Sequence, residues 1–476
     1  MSPPHDASAD PSELAYLTAG QLAARYARRE LSPVEVTQHI LARAERLSPQ
    51  LNPFVLIDAE RALANARASE ERWQRGSAYG QLDGVPVSVK DLLPARGWPT
   101  RRGSRTSDAS PSDEDAPAVA RLREAGAVLL GKTTTSEFGL KGLGDSPLTG
   151  ITRNPWNLAH TPGGSSAGAV AATAAGLGAI AIGTDGGGSI RVPSAHSGVI
   201  GLKPTFGRVP ASPASFVGVP PHVGPIARSV ADLVLALQVI ARPDPRDPLQ
   251  SPASPIPIDP LAVAKDYVPS KLRIGYSVDL GYAPIDPEVA RAFAAAIAAL
   301  RDAGFVLEEA VPGFRSPASI IRRLFAARAA WTLRGLSEER RAWVDPAVLA
   351  TAREGEAQSA VDYLEAEAER VSLLESLARY HAKFDLLLTP TSSHTAPAID
   401  AFEPSPAPTS AGPVRESLAA PFSLTRQPAL SIPCGVTNAG LPIGLQIVGR
   451  HHEEGLVLAV AQVYERIRPF QAPRPL

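Results

Sequence analysis

The chain is predicted to be an α/β protein, with a large mixed β-sheet at its core and helices on both faces of the sheet. From residue 82 to about residue 241, short β-branched runs alternate with alanine-rich helical segments, the pattern of a sheet packed between helical layers. The 476 residues and their hydrophobic content of 44% are sufficient for a large core. Prolines crowd residues 242–260, which predicts an extended surface connection to the second half.

The N-terminal segment, residues 11–80, is predicted to be helical. Apolar residues recur there at helical intervals, and Ser12 and Ser32 stand where N-caps are expected. We expect these helices to pack as a clasp on the outside of the core.

The second half begins with two predicted strands, KLRIGYSVD at 271–279 and GFVLEEAVP at 304–312, which enclose a helix at residues 287–303. Residues 316–380 are then predicted to be almost wholly helical. The predicted organisation has four consecutive segments: a helical clasp at 1–80 that belongs to the same domain, a catalytic core at 81–241, a variable and mainly helical substrate-selecting region at 242–383, and the rest of the core at 384–476.

The run GTDGGGSIR at residues 183–191 is the most informative part of the sequence. It places Ser189 behind three consecutive glycines, with Asp185 and Arg191 on either side. Glycines allow several main-chain N–H groups to converge on one small volume, as a developing oxyanion requires. Ser189 is therefore the predicted nucleophile.

Two other segments supply the remaining groups for acyl transfer. TPGGSSAGA at 161–169 contains a serine pair, and GVPVSVKD at 84–91 contains Lys90, while none of the three segments contains a histidine. A lone serine, a serine pair and a lysine are suited to acyl transfer with lysine in place of histidine as the base.

This ordered set of motifs resembles the amidase signature family. The resemblance is close over residues 65–235 and resumes at FDLLLTPT, residues 384–391, and at SIPCGVTNAGLPIGLQIVG, residues 431–449. It implies the amidase signature fold and hydrolysis of C–N bonds in amides, with esters and carbamates as further substrates. It implies no cofactor and no metal.

The resemblance also implies the catalytic roles. Ser189 corresponds to the nucleophile, Ser165 to a bridging serine held in a cis peptide, and Lys90 to the base. A lysine base must be neutral, whereas a free lysine has a pKa of about 10.4. The apolar run VPVSVK predicts burial of Lys90, and burial lowers the pKa of an amine.

The glycine loop is expected to form an oxyanion hole from the backbone N–H groups of Gly186, Gly187, Gly188 and Ser189. Asp185 and Arg191 are expected to pair and brace this loop.

Two roles are open for Ser166. It could hold Ser165 or Lys90 by a hydrogen bond, or it could be the N-cap of the helix AGAVAATAAGL that follows it.

A substrate pocket is predicted along EFGLKGLG at 137–144, with Phe138, Gly139 and Leu140 as lining residues. We expect an apolar pocket that suits uncharged acyl or aryl groups. The second expected wall is the late helical stretch, whose large apolar residues are Leu324, Phe325, Trp331, Leu336 and Trp343.

Two further motifs point to other classes of protein. GAVLLGKT at 126–133 satisfies the P-loop pattern and would make Lys132 a nucleotide-binding residue, but its interior is an apolar run that predicts a buried strand. GSSAG at 164–168 satisfies the nucleophile-elbow pattern around Ser166, but no predicted strand precedes it.

An alternative within the family is the glutamine-hydrolysing A subunit of a tRNA-dependent amidotransferase. GKTTTSEFGLKGL, from residue 131, departs from the GKTNMDEF pattern associated with that enzyme. The alternative stays open, because the sequence does not reveal partner subunits or the oligomeric state.

Composition argues against several other functions. A net charge of −1 disfavours a nucleic-acid or anionic-membrane partner. The N-terminus has no signal-peptide pattern and no segment is apolar enough to span a bilayer, which predicts a cytoplasmic protein. The one cysteine, Cys434, is predicted to be a core thiol, and the adjacent His451 and His452 are predicted to lie in a surface loop.

Overall fold

A computed structural model describes residues 11–214, 221–251, 272–400, 416–471 and 475–476. The described residues form one 11-stranded mixed sheet and a separate two-stranded hairpin, β4–β5. The strands are β1 Phe54–Ile57, β2 Pro86–Lys90, β3 Val128–Thr133, β4 Asp145–Ser146, β5 Gly150–Ile151, β6 Ile180–Asp185, β7 Ile200–Lys203, β8 His222–Ala227, β9 Arg273–Tyr276, β10 Val306–Glu309, β11 Leu386–Pro390, β12 Ala429–Val436 and β13 Pro442–Gly449.

Helices occupy much of the remaining described chain. They are α1 Pro11–Leu14, α2 Ala19–Ala27, α3 Pro33–Leu51, α4 Ala59–Gln74, α5 Pro117–Glu124, α6 Ala167–Ala174, α7 Arg191–Ser197, α8 Val230–Ile240, α9 Pro287–Asp302, α10 Ala318–Leu333, α11 Glu338–Arg341, α12 Pro346–Glu356, α13 Ala360–His381, α14 Ala420–Leu424 and α15 Glu454–Ile467, with a single 3₁₀ turn at Glu137–Gly139.

The large sheet has the strand order β1-β3-β2-β6-β8-β7-β12-β13-β11-β9-β10. Neighbours are antiparallel from β6 across to β11, whereas β3, β2 and β6 are parallel to one another, as are β11, β9 and β10. Because β2 and β6 run side by side in the same direction, their carboxyl ends meet at one edge of the sheet. Those two ends carry Lys90 and Asp185.

Helices cover both faces of the sheet, as the α/β prediction requires. Ile180 and Ile182 of β6 belong to the main core, which includes residues of α8, whereas Ala181 between them packs in a second core with Ala169 and Val170 of α6. Successive side chains of a strand point to opposite faces. The predicted fold class is therefore confirmed.

The N-terminal segment departs from its prediction in two respects, a strand and one helix cap. It is helical apart from β1, which pairs antiparallel with β3 and so forms the edge of the large sheet. Ser32 is the N-cap of α3, with a complete capping box, as predicted. Ser12 lies inside α1 rather than before a helix, and the cap of the next helix is Thr18.

The second half agrees with its predictions. β9 and β10 fall within the two predicted strands, and α9 ends at Asp302, just before Gly304 with its positive φ of 92°. Four helices, α10 to α13, occupy most of residues 316–380. Residues 242–251 of the proline-rich connection contain no helix or strand, and residues 252–260 lie outside the described residues.

Two smaller predictions can be placed on the fold, those for Cys434 and for the adjacent histidines. Cys434 is buried in β12, and burial raises the pKa of its thiol to about 12. His451 and His452 lie in an exposed turn before α15. Within the described ranges, no helix is long and apolar enough to cross a bilayer, and no three histidine, cysteine or acidic side chains are grouped as a metal site would need.

Candidate active site

The sheet edge at the ends of β2 and β6 carries the predicted catalytic residues. Lys90 is the last residue of β2, and residues 186–189 form the turn between β6 and α7. The serine-pair segment leads into α6 beside this turn. The backbone N–H of Ser166 donates to the Ser189 carbonyl at 3.2 Å, which joins the two loops directly.

The Lys90 amine lies among hydroxyl groups. Its Nζ is 2.7 Å from Ser165 Oγ, 2.9 Å from Ser166 Oγ and 3.0 Å from Thr184 Oγ1, and all four side chains are buried. Hydroxyl groups can both donate and accept, so this shell can accommodate either a neutral or a protonated amine.

Burial favours the neutral form of the amine. Desolvation holds the pKa of Lys90 well below its ordinary value, and Arg328 lowers it further, while the charge of Asp185 opposes both effects only in part. The prediction that Lys90 is buried is confirmed, and its pKa is shifted in the direction expected. A neutral amine 2.7 Å from Ser165 Oγ is positioned to accept its proton.

Ser165 carries the hydroxyl group nearest to the Lys90 amine. Its peptide bond to Gly164 is cis, and its side chain is 1% exposed. A Cβ atom added at Gly139 would lie 3.3 Å from Ser165 Oγ, so the glycine leaves space beside this hydroxyl. Ser189 is half-buried and lines the cavity.

The geometry favours one of the two roles left open for Ser166. The residue occupies the N-cap position of α6, but its hydroxyl makes no capping hydrogen bond. Instead Ser166 Oγ lies 2.9 Å from Lys90 Nζ and donates to the Thr184 carbonyl at 3.2 Å. Ser166 therefore holds the lysine rather than the helix.

The glycine loop uses its amides in two ways. Gly188 N–H donates to the Asp185 carboxylate at 2.8 Å, a different use from the predicted oxyanion contact. Among the described residues, the amides of Gly186, Gly187 and Ser189 donate to no other protein group. Gly187 and Ser189 also line the cavity, whereas Gly186 begins the turn outside the lining.

Asp185 and Arg191 form the predicted brace. Both side chains are fully buried, and two guanidinium nitrogens each lie 3.0 Å from a carboxylate oxygen. Burial alone would raise the pKa of Asp185, but the charge and hydrogen bonds of Arg191 outweigh it and hold that pKa well below the ordinary value. The carboxylate is thus ionised and keeps the loop amides of Gly188 and Ile190 in place.

The site contains polar residues that were not predicted from the sequence. Arg191 also donates to Gln446 Oε1 at 2.7 Å and to Ser423 Oγ at 2.7 Å, and Ser423 donates to Asp185 at 2.9 Å. Both come from the C-terminal part of the core, far from the motifs in sequence. Thr184 could have been noticed in the sequence, because it directly precedes Asp185 at the start of the glycine run.

A cavity of about 320 Å³ opens in front of Ser189. Gly139 and Leu140 line it as predicted, but Phe138 does not and packs instead with Val344 and Val348.

From the late helical stretch, Phe325 reaches this cavity together with Ile321. The other four predicted wall residues lie elsewhere: two are in neighbouring hydrophobic clusters, Leu324 and Leu336, and two are about half exposed, Trp331 at 51% and Trp343 at 47%.

The cavity lining is mainly apolar, in the direction of the prediction, but it also includes polar residues. These include Lys141, Ser393, His394 and Glu416. The Lys141 amine lies 2.6 Å from Asp145 and 2.5 Å from an oxygen of Asp345, so its charge is already compensated.

The P-loop pattern does not form a phosphate loop. Lys132 lies inside β3, fully buried, with its amine 3.1 Å from Asp91. No glycine-rich turn surrounds it, which agrees with the buried strand predicted there.

The chain matches a known protein family over most of its length. The model of the Amidase family matches residues 35–458. The chain therefore belongs to the amidase signature family and is an amidase-family hydrolase.

Three relatives show the breadth of that family. An acylamidase of Rhodococcus erythropolis is 36% identical over 470 residues, covering 97% of this chain and 98% of its own. The A subunit of glutamyl-tRNA(Gln) amidotransferase from Chloroflexus aggregans is 35% identical, covering 98% and 99%. The crystal structure of a bacterial aryl acylamidase of the amidase signature enzymes superposes with a TM-score of 0.89 at 27% identity, covering 96% and 98%.

Proposed function

We propose that the chain hydrolyses small amides through an acyl-enzyme on Ser189, with Ser165 as the bridging serine and Lys90 as the base. The observation that carries this proposal is a fully buried lysine amine 2.7 Å from a buried serine hydroxyl, beside a glycine loop that faces a cavity. The acylamidase and aryl acylamidase relatives support the same chemistry.

In the proposed reaction, Ser189 Oγ bonds to the carbonyl carbon of the substrate. The proton of Ser189 passes to Ser165 Oγ, and the proton of Ser165 passes to Lys90 Nζ. The same relay in reverse protonates the leaving nitrogen as the C–N bond breaks. Water then attacks the acyl-serine ester while the relay takes one of its protons. The relay returns that proton to Ser189 Oγ as the ester C–O bond breaks, and the acid is released.

The oxyanion formed in each tetrahedral intermediate needs hydrogen-bond donors. The amides of Gly187 and Ser189 support this role, since they line the cavity and donate to no other described group. Loss of one such donor typically costs about 10²–10³ in kcat. The involvement of Gly186 and Gly188 stays a prediction.

The substrate class follows from the cavity. A volume of about 320 Å³ is at the small end for ligand sites, which suits a small molecule rather than a polymer. The apolar lining residues, which include Leu140, Ile321 and Phe325, favour an uncharged aryl or acyl group at the carbonyl. Esters and carbamates present the same planar carbonyl, and we include them in the proposal.

The decisive experiment is Ser189→Ala. Removing one oxygen from a half-buried residue should leave the melting temperature close to wild type and reduce single-turnover hydrolysis of an anilide to background. Ser372→Ala, an exposed serine on α13, is the matched control and should be fully active. Appreciable hydrolysis by folded Ser189→Ala protein would show that the nucleophile is another group.

The amidotransferase relative favours a second candidate, glutamine hydrolysis for a partner protein. The polar lining residues Glu416 and His394 could receive the head group of an amino acid. This candidate predicts that glutamine is preferred over uncharged amides, or that activity requires partner subunits.

A further inference from the structure

His222 is the first residue of β8 and faces Asp185, the last residue of β6, across the antiparallel pair. No motif in the sequence singles it out. The side chain is 3% exposed, and its ring packs edge-on against Phe206 with centroids 5.6 Å apart.

The imidazole is bonded to the main chain at the start of the glycine loop. His222 Nδ1 lies 2.9 Å from the carbonyl oxygen of Asp185. A carbonyl oxygen can only accept, so Nδ1 carries the ring hydrogen and donates it. Burial holds the pKa of His222 well below its ordinary value, so the ring is neutral and Nε2 bears the lone pair. Nε2 is buried and has no partner among the described residues.

With this contact, hydrogen bonds hold the glycine loop at both of its ends. The carbonyl of Asp185 and the N–H of Gly186 belong to one peptide group, so a hydrogen bond to that oxygen fixes the plane in which the loop starts. Beyond the turn, the Asp185 carboxylate binds the amides of Gly188 and Ile190. The loop is therefore held at its first peptide by His222 and after the turn by Asp185, which leaves Gly187 and Ser189 between two fixed points.

We propose that His222 is a positioning residue for the oxyanion loop, which it holds through the Asp185 carbonyl in the geometry that the tetrahedral intermediate requires. The inference rests on the proposed function and deepens it. His222 touches no reacting atom. Its contribution arises in the transition state, because the loop amides bind the oxyanion more strongly than the ground-state carbonyl.

The test compares two nearly isosteric replacements. In His222→Asn the side-chain amide can still donate to the Asp185 carbonyl, whereas in His222→Leu no donor remains. In His222→Leu we expect kcat for an anilide to fall by at least about 10-fold, with KM little changed. This loss should be smaller than the ~10²–10³-fold loss typical of a missing oxyanion donor, because the donors themselves remain. His222→Asn should recover most of the activity.

A second readout separates positioning from general loosening of the site. An aryl boronic acid, which forms a tetrahedral adduct with a nucleophilic serine, should bind His222→Leu more weakly by about the same factor as the loss in kcat/KM. In a Ser189→Ala background, the intact anilide should bind with the same Kd whether residue 222 is His or Leu. Equal weakening of both ligands would mean a structural role only and would overturn the proposal.

Other outcomes are equally clear. Full activity of folded His222→Leu would overturn the proposal while leaving the proposed function intact, provided that Ser189→Ala is inactive. If His222→Leu does not fold, His222→Phe, which preserves the ring contact with Phe206, replaces it. A folded His222→Asn protein that loses activity as severely as the apolar variants would also overturn the proposal, since its donor is retained.

Discussion

The base role proposed for Lys90 requires that the protein keep its amine out of water. The side chain is fully buried, and its nearest described polar neighbours are hydroxyl groups rather than a carboxylate that would hold a proton on it. Desolvation therefore lowers the pKa of Lys90 more than the charge of Asp185 raises it.

This leads to a prediction about pH. Protonation removes the base, so kcat/KM should fall as the pH is lowered through the pKa of Lys90 and should level off above it. Lys90→Met, which keeps the apolar stem, should reduce kcat/KM by about 10²–10⁴-fold, the usual contribution of a general base. Exposed Lys383→Met is the control and should match wild type. A rate that stays flat between about pH 5 and 9, with chemistry limiting, would contradict a titrating base.

The sequence was informative about residues whose signal is local. Ser189 follows a glycine run and Lys90 ends an apolar strand, so each could be recognised from its neighbours. Ser423 and Gln446 could not, because nothing beside them in the sequence indicates that they hold Arg191. The prediction that Phe138 lines the pocket was wrong, since its neighbours do not determine which cluster an aromatic ring joins.

At the scale of elements, α10 connects the variable region to the site. Its residues Ile321 and Phe325, four apart on one helix face, lie over the glycine loop. A Cβ atom added at Gly187 would lie 3.3 Å from Ile321 Cδ1 and 3.5 Å from Phe325 Cζ. The sequence predicted the helix but not this face, because apolar residues occur all around it.

Substrate selection by α10 can be tested on that helix alone. Phe325→Ala should enlarge the cavity, lower kcat/KM for small acyl groups and raise it for bulkier ones. The ratio of kcat/KM for the bulkier substrate to kcat/KM for the small one should rise by about 10–200-fold, the usual effect of one hydrophobic contact. Trp331→Ala is the control, because Trp331 is on the same helix but 51% exposed and outside the cavity. An unchanged ratio in Phe325→Ala would show that Phe325 of α10 does not select the substrate.

Strand β1 shows why the prediction for the N-terminal segment was wrong in part. Its sequence FVLI has only four residues between two long helices, too few for a clear alternation. What makes it a strand is its partner β3, to which Phe54 and Leu56 are paired. That partner is more than 70 residues away in the chain, so the pairing was not visible locally.

At the scale of the whole molecule, the four predicted segments are not independent units in the structure. Each contributes at least one strand to the large sheet: β1, then β2, β3 and β6 to β8, then β9 and β10, then β11 to β13. The site likewise draws Lys90 and Ser189 from the second segment, Phe325 from the third and Ser423 from the fourth. Sequence patterns predicted the class of fold, but not the strand order that brings these parts together.

The charges that line the cavity lead to a prediction about which amides are hydrolysed. Among its described lining residues Lys141 is the one lysine or arginine, and two carboxylates already neutralise it. The carboxylate of a free amino acid would therefore lose its hydration on entry without gaining an unpaired cation, which costs several kcal/mol. Uncharged amides do not meet this cost.

Uncharged aryl amides and carbamates should consequently show a kcat/KM at least about 100-fold above that of glutamine, a ratio equivalent to about 2.7 kcal/mol. Butanamide is the matched substrate, because it is glutamine without its amino and carboxyl groups and isolates the effect of the charges. It should be hydrolysed faster than glutamine by the purified chain. Preference for glutamine over butanamide, or activity that appears only when partner subunits are added, would instead favour the amidotransferase alternative.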